Sequence, residues 1–309
     1  MWTSRGAGGW DGAVTTTRER ALTAFEEQRP VLTGVAYRML GRVGDAEDIV
    51  QEAWLRWSRA EHGDVRDARG YLVRVTTRLA LDRLRQDRAR REAYVGPWLP
   101  EPLVTDYGPA VPDTAEQAVL ADSVSLAVLV VLESLSPLER AVFVLREAFG
   151  FPYREIAEVL ERSEAAVRQL AGRARRHVDE RRPRFAVDPV QRRELTEQFL
   201  AAAGGGSFER MLELLAPDVR LVGDSGGRSK APLRVIESAD KVARFLLAVA
   251  PNTPAGAELR FLELNGGPAV LLLDGGRPDT ALALDVVDGR ITAVYLQRNP
   301  DKLGALAGG

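Results

Sequence analysis

The sequence predicts a multidomain protein in which two all-helical domains precede a C-terminal α+β domain. The length of 309 residues suits two or three domains. Apolar residues recur at helical spacing through about residue 180. After the stretch 183–189, which a proline bounds at each end, the pattern changes to short apolar runs separated by Gly-containing turns. These observations separate a helical N-terminal part from a sheet-containing C-terminal part.

The basic residues are concentrated in two places, although the formal net charge is −2. Residues 66–92 contain nine arginines and four acids, a net charge of +5, and residues 162–184 contain eight arginines and three acids, again +5. Such clusters are typical of surfaces that bind DNA. They predict two nucleic-acid contact surfaces in an otherwise acidic chain.

The composition limits the chemistry that is open to this chain. It has no cysteine and two histidines, which excludes disulfides and thiol chemistry and argues against histidine catalysis. We therefore assign no catalytic residue, no metal and no cofactor. No apolar run approaches the ~20 residues needed to cross a membrane, and the N-terminus lacks the apolar core of a signal peptide. A cytoplasmic protein is expected.

The first helical domain is predicted over residues 18–92, after a disordered tail at 1–17. A helix at 18–40 precedes a glycine-containing break, and Asp45 is predicted to cap a second helix at 46–59. This second helix retains acids and apolar side chains after one face is filled, which indicates contact with a partner protein. The residues assigned to this contact are Asp45, Asp48, Glu52 and Leu55.

A long helix is predicted at 70–91, with Tyr71, Leu72, Val75 and Leu79 on its buried side. Arginines lie near its opposite side and in the loop before it, where they can follow the backbone of melted DNA. The residues assigned to this surface are Arg66, Arg69, Arg74, Arg78 and Arg85.

A second helical domain is predicted over residues 115–182, after a proline-rich linker at 93–114. A largely apolar helix at 115–135 leads to Ser136, a suitable N-cap, and to Pro137 at the first helical position. Residues 146–176 then form a predicted helix-turn-helix, in which Ser163 caps the second helix. That helix can lie in a major groove with its basic face.

The outward face of this second helix carries the residues assigned to base and phosphate contact. They are Arg162, Glu164, Ala165, Arg168, Gln169, Arg173, Arg175 and Arg176. Paired amphipathic helices also occur in other helical domains, where a basic face is simply solvated.

The C-terminal domain is predicted over residues 190–309, after the short linker at 183–189. The predicted helices are 190–203, 208–215 and 239–249, and the predicted strands are 219–222, 259–264, 269–273, 281–287 and 291–297. Asp288-Gly289 is a strong two-residue hairpin turn. Helices followed by an antiparallel meander predict a curved sheet wrapped by helices.

Several of these segments resemble an extracytoplasmic-function (ECF) sigma factor of bacterial RNA polymerase. Residues 45–55 resemble the core-polymerase-binding helix of sigma domain 2, and residues 71–85 resemble its helix that contacts the −10 element. Residues 135–140, together with the helix-turn-helix, resemble sigma domain 4, which recognises the −35 element. The C-terminal part resembles a SnoaL-like domain of the cone-shaped NTF2-like fold, a combination found in the SigJ-type group.

The resemblance implies two all-α sigma domains, domain 2 and helix-turn-helix domain 4, followed by an NTF2-like/SnoaL-like cone of α+β class. It implies core RNA polymerase and promoter DNA as partners and no membrane association. A small-molecule ligand of the C-terminal domain stays open. The Gly-rich motif of the group is only approximated at 224–230, because Ser225 replaces a Gly and Arg228 stands where Lys is usual.

Two further motifs of this group indicate an interdomain latch. Trp98 is a large apolar residue in the proline-rich linker and needs a surface to cover it. The segment 299–303 offers a turn, a charge pair and an apolar residue after the last strand. We therefore expect the C-terminal domain to dock on the linker and to tune promoter binding in cis. The latch residues are Trp98, Leu99, Pro100, Glu101, Pro102, Asn299, Pro300, Asp301, Lys302 and Leu303.

Two alternative functions stay open at this point. A helix-turn-helix regulator could bind duplex DNA alone, although it would have no use for residues 45–91. Its C-terminal domain could instead bind a ligand or catalyse a cyclase- or isomerase-like reaction, with Asp224, Asp274 or Asp285 as the base. A catalytic site needs a polar group with a perturbed pKa at the floor of a pocket, and no pair in the sequence indicates one.

Overall fold

The computed structural model describes residues 10–60, 67–105, 125–180 and 189–308. Three long helices come first, α1 (Trp10–Leu40), α2 (Val43–Arg59) and α3 (Ala68–Glu92). The second helical part contains α4 (Leu126–Leu132), α5 (Pro137–Phe143), a π-helical turn (Val144–Ala148), α6 (Tyr153–Leu160) and α7 (Glu164–Asp179). Among the residues that the structure describes, no helix is long and apolar enough to cross a membrane.

Two helix starts in the second helical part have the predicted caps. The Ser136 side chain accepts from the Glu139 amide, and the Glu139 carboxylate accepts in return from the Ser136 amide. Ser163 Oγ accepts from the Ala166 amide at 3.2 Å. The predicted helix-turn-helix of α6 and α7 is therefore confirmed.

Three sequence predictions differ from the structure. Helix α1 begins at Trp10, so residues 10–17 are helical rather than part of a disordered tail, because extending an existing helix costs less than nucleating one. Helix α2 begins at Val43, so Asp45 lies in its first turn and does not cap it. The helix expected at 115–135 is seen over Leu126–Leu132, and residues 106–124 lie outside the described ranges.

One continuous hydrophobic core joins the two helical domains. Leu32 of α1, Leu72 of α3, Ile156 of α6 and Val167 of α7 are all fully buried in it. Arg140 of α5 is 2% exposed. It donates through Nη1 to the Met39 carbonyl of α1 at 2.6 Å and through Nε to the Leu132 carbonyl at 2.8 Å. The two domains are therefore packed directly against each other.

The C-terminal part is a mixed six-stranded sheet with helices on one face. Its elements are α8 (Pro189–Gly204), α9 (Phe208–Leu214), β1 (Leu215–Asp224), β2 (Ile236–Glu237), α10 (Ala239–Val249), β3 (Glu258–Leu264), β4 (Gly267–Asp274), β5 (Arg277–Val287) and β6 (Arg290–Gln297). The strand order is β2-β1-β6-β5-β4-β3, with β1 parallel to β6 and the other neighbours antiparallel. This arrangement confirms the expected α+β, NTF2-like class.

Tight turns join the last four strands. Asn265 and Gly266 between β3 and β4, and Asp288 and Gly289 between β5 and β6, all have positive φ. Asn-Gly and Asp-Gly pairs tolerate this left-handed backbone. The hairpin predicted at Asp288-Gly289 is therefore confirmed, and a second one occurs at Asn265-Gly266.

The two faces of the sheet belong to different cores. Along β6, Val294 and Leu296 pack in a core with α8, α9 and α10, whereas Ala293 and Tyr295 pack in another. This second core also contains residues from three other parts of the chain. They are Leu99 of the linker, Leu126 and Ala127 of α4, and Leu303 and Leu306 after β6. The linker and the start of the second helical part thus cover one face of the C-terminal sheet.

Candidate nucleic-acid interface and interdomain junction

The second helix of the helix-turn-helix presents a basic face to solvent. Val167 and Ala174 of α7 are fully buried, whereas all eight residues predicted for −35 contact are exposed. The burial of one side of α7 therefore leaves the predicted recognition side accessible, as entry into a major groove requires.

Three arginines on this face are already paired with acids. Arg168 pairs with Glu164 one turn earlier. Arg173 Nε donates to Glu139 Oε1 of α5 at 2.9 Å, and Arg175 Nη2 donates to Glu147 Oε1 at 2.6 Å. The Glu147 carboxylate raises the pKa of Arg175. Because exposed ion pairs are weak, phosphates can displace these acids.

The arginines predicted for melted DNA do not form one free surface. Arg78 of α3 donates to the Val159 carbonyl and to Glu161 of the helix-turn-helix, at 3.3 and 2.7 Å. Arg69 stacks over the ring of Phe151 at 4.8 Å. Arg74 is half-buried, and Arg85 is exposed and pairs with Asp82. Arg66 lies outside the described residues. Two of these arginines therefore contact the second helical domain.

The residues predicted for the partner contact on α2 divide into two groups. Asp48 and Leu55 are exposed, and Glu52 is half-exposed and pairs with Arg56 at 3.1 Å. The Asp45 side chain is 12% exposed and pairs with Arg83 of α3 at 2.5 Å. Asp45 therefore joins two helices of the same domain rather than facing a partner.

A groove of about 530 Å³ lies between α1 and α2, and none of the four residues predicted for the partner contact is in its lining. Its lining includes Leu22, Phe25, Glu47, Val50 and Trp54. The rings of Phe25 and Trp54 lie 5.0 Å apart and form part of its wall. The charged side chains in the lining are Glu26, Arg29 and Glu47, and Arg29 pairs with Glu26 at 3.6 Å.

A buried ion pair lies at the junction of the linker and the C-terminal domain. Lys302 Nζ donates to Asp224 Oδ2 and to the Leu99 carbonyl, both at 2.7 Å, and lies 3.9 Å from the centroid of the Trp98 ring. The Asp224 and Lys302 side chains are 0% and 2% exposed. A buried pair is stable only when further hydrogen bonds satisfy it, and here the linker supplies them.

Asp224 receives three more hydrogen bonds in this junction. Its Oδ2 accepts from the Leu99 amide at 2.8 Å, and its Oδ1 accepts from the Tyr94 hydroxyl at 2.6 Å and from the Gly226 amide at 3.0 Å. Burial and the Asp224 carboxylate raise the pKa of Tyr94. Asn299 Nδ2 donates to the same hydroxyl at 2.8 Å. Asp224, one of the candidate bases, is therefore fully engaged in a structural contact.

The Gly-rich loop after β1 also contacts the C-terminal segment. Arg228 pairs with Asp301, and Ser229 Oγ donates to the Arg298 carbonyl at 2.6 Å. Gly227 has a positive φ and lies against Val95 of the linker. Although Ser225 and Arg228 depart from the Gly-rich motif, this loop still contacts the linker at Val95.

The linker is held from its other side by the first helical domain. The Glu101 amide donates to the Gly41 carbonyl at 2.8 Å, and the Tyr37 hydroxyl donates to the Glu101 carbonyl at 2.8 Å. Asn265 of the β3–β4 turn donates through Nδ2 to the Tyr37 hydroxyl at 2.9 Å. Trp98 is half-buried, Pro300 and Asp301 are exposed, and the other seven predicted latch residues are buried, namely Leu99, Pro100, Glu101, Pro102, Asn299, Lys302 and Leu303. Tyr37, Tyr94 and Asn265 also belong to this junction, although no sequence pattern predicts them there.

Comparisons with known proteins agree with the two helical domains. A Sigma-70 region 2 family model matches residues 24–90, and a Sigma-70 region 4 model matches residues 125–178. The chain is 41% identical over 291 residues to the ECF RNA polymerase sigma factor SigJ of Mycobacterium tuberculosis, covering 91% of this chain and 92% of SigJ.

Similarity extends through the C-terminal domain. The chain is 37% identical over 289 residues to the probable ECF RNA polymerase sigma factor SigI of M. tuberculosis, covering 92% of this chain and 94% of SigI. The crystal structure of M. tuberculosis SigJ matches with a TM-score of 0.73 at 38% identity, covering 92% of this chain and 98% of that one. This chain therefore belongs to the ECF sigma factors of RNA polymerase.

Proposed function

We propose that this chain directs core RNA polymerase to promoters and that its C-terminal domain regulates this activity in cis. In this proposal α2 contacts the polymerase, the α3 arginines hold the melted −10 element, and α7 recognises the −35 element. The protein acts in the cytoplasm, without a catalytic site, metal or cofactor. The main support for regulation in cis is the buried Asp224–Lys302 ion pair, which forms further hydrogen bonds with atoms of the linker.

The exposed face of α7 supports −35 recognition. Arg168, Arg173 and Arg175 are paired with acids only at the surface, where an ion pair contributes about 0–1 kcal/mol. The contact of an arginine with a phosphate or a guanine edge contributes more free energy than these ion pairs, because the guanidinium group can donate to two acceptors at once. DNA binding is therefore favoured over the internal pairs.

The accessible side of α2 supports polymerase binding. Asp48 and Leu55 are exposed on α2, the helix that also contributes Glu47, Val50 and Trp54 to the lining of the groove between α1 and α2. Acids around an apolar depression suit a basic partner helix with a large apolar side chain.

Regulation in cis is supported by the position of the linker between two domains. Leu99 is 1% exposed and lies in the core that covers the C-terminal sheet. Undocking the linker would expose that core and would leave Asp224 and Lys302 without the linker hydrogen bonds that satisfy them. Docking is therefore the stable state of the free protein, and a partner must supply free energy to open it.

The alternative of a catalytic C-terminal domain has less support. Asp224 is bonded to Lys302, and Asp274 is exposed at the end of β4. Asp285 is half-buried, and burial raises its pKa to about 6. The positive charge of Arg192 acts in the opposite direction and lowers the pKa of Asp285. The helix-covered side of the sheet is filled by apolar side chains such as Phe199, Met211 and Val242.

The regulatory proposal is tested with Lys302→Met, which removes the positive charge of the buried pair with little loss of side-chain volume. Lys241→Met, at an exposed lysine of α10, is the matched control. Small-angle scattering and in vitro transcription with core polymerase should show a larger radius of gyration and an altered transcript yield for Lys302→Met alone. Equal behaviour of the two variants would refute the latch.

A further inference from the structure

Helix α2, which is assigned to polymerase binding, is not capped by the side chain at its N-cap position. Its N-cap position is Arg42, whose side chain makes no capping hydrogen bond. The first amides of a helix have no partner inside the helix and need acceptors from elsewhere. Asp45, the acid closest to this end, instead pairs with Arg83.

The missing cap comes from the linker. Glu101 Oε2 accepts from the Val43 amide, the first of α2, at 3.0 Å across 58 positions of sequence. The Glu101 residue is 8% exposed, and burial raises its pKa. A carboxylate at a helix N-terminus also interacts favourably with the helix dipole. Glu101 thus performs the role that an N-cap residue normally has.

Residues adjacent to Glu101 are held by the C-terminal domain. The Leu99 amide and carbonyl bond Asp224 and Lys302, and the Pro100 carbonyl accepts from Gln297 Nε2 at 3.4 Å. Trp98 lies so close to Gly41 that a Cβ there would be 2.7 Å from the indole. The position of the Glu101 carboxylate is therefore set by contacts on both sides.

We propose that Glu101 is a positioning residue that caps α2 only while the linker is docked on the C-terminal domain. Docking then orders the first turn of α2 and presents Asp48 and Glu52 in a fixed helix, and undocking lets that turn fray. This inference rests on the proposed function and adds the route by which the C-terminal domain affects polymerase binding. The link between the linker and α2 in this route is the hydrogen bond that the Val43 amide donates to the Glu101 carboxylate.

The test measures amide hydrogen exchange over residues 43–46 and the Kd for core polymerase in full-length variants. Glu101→Ala should speed exchange there and raise the Kd, each about fivefold, the factor that corresponds to a typical helix cap. Glu101→Gln keeps an acceptor oxygen and should recover most of both effects. Glu27→Ala, at an exposed acid of α1, is the control.

Lys302→Met provides the second arm, because it loosens docking while keeping Glu101. It should also speed exchange at residues 43–46. Unchanged exchange in both Glu101→Ala and Lys302→Met overturns the inference, even if Lys302→Met alters compactness and transcription and so supports the latch. Faster exchange in Glu101→Ala but not in Lys302→Met also overturns it, because the cap would then be independent of docking.

Discussion

Arg78 of α3 and Glu161 in the turn of the helix-turn-helix form an ion pair at 2.7 Å across the boundary between the two sigma domains. Glu161 has φ of 53°, a left-handed backbone that is uncommon for a residue other than glycine, asparagine or aspartate. A turn position that favours glycine therefore carries an acid, and that acid contacts an arginine assigned to the −10 element.

In the proposed function α3 and α7 bind different promoter elements, and this contact prevents them from doing so at the same time. The −10 and −35 elements lie about 25 base pairs apart, which is ~85 Å at 3.4 Å per base pair. Helix α3 has 25 residues and spans ~37 Å, yet its Arg78 touches the helix-turn-helix. The proposed function therefore requires the two domains to separate before α3 and α7 can each bind an element.

Replacing Glu161 by glycine should favour the separated state. Glu161→Gly removes the carboxylate and suits the positive φ, and an exposed ion pair is worth up to ~1 kcal/mol. Transcription at a limiting concentration of the protein should therefore rise about two- to fivefold. The control is Glu158→Gln, which removes an acid from α6 that pairs with Arg154. An equal rise in both variants would argue that charge alone is responsible.

Arg168 and Arg173 should be required for −35 recognition. Arg168→Ala should cost about 1–3 kcal/mol if the side chain makes a bidentate base contact. The Arg168→Ala, Arg173→Ala double variant should therefore lose footprint protection upstream and keep its helical content by circular dichroism. Arg210→Ala, at an exposed arginine of α9 that pairs with Glu213, serves as the control. Full upstream protection by the double variant would show that the assignment is wrong.

Charge reversal on α2 should separate a structural acid from partner-binding acids. Asp45→Lys breaks the pair with Arg83 and should lower Tm by several degrees, because the Asp45 side chain is only 12% exposed. Asp48→Lys with Glu52→Lys should keep Tm and weaken the Kd for core polymerase about tenfold or more. Thermal unfolding and a binding titration measure both quantities. The opposite pattern, with Asp45 affecting binding alone, would contradict the division.

The parts of the fold that local chemistry determines could be predicted from the sequence. Ser136 and Ser163 cap helices through amides three residues away, so neighbouring residues alone indicate both helix starts. Asp288 and Gly289 likewise suit a turn that needs positive φ at both positions.

The junction could be predicted only in part, because its contacts join distant positions. Trp98 and Lys302 were expected there, but Tyr94 reaches Asp224 across 130 positions and Tyr37 reaches Asn265 across 228. No periodicity or cap rule relates residues so far apart. Asp45 was wrongly predicted to cap α2 for the same reason, since Glu101 does so from 58 positions away.

Asp285 should make the C-terminal domain less stable as the pH rises. Burial raises its pKa to about 6, above the value of ~4 expected in the unfolded chain. Its contribution to stability is therefore fully present below pH ~4 and is lost as the pH rises through about 6. Asp285→Asn should raise the free energy of unfolding by roughly 1–3 kcal/mol at pH 7.5, and by much less at pH 4.5. Urea denaturation at the two pH values measures this difference, with Asp274→Asn at the exposed end of β4 as the control. Equal stabilisation by Asp285→Asn at both pH values would show that changed hydrogen bonding, rather than buried charge, determines the effect.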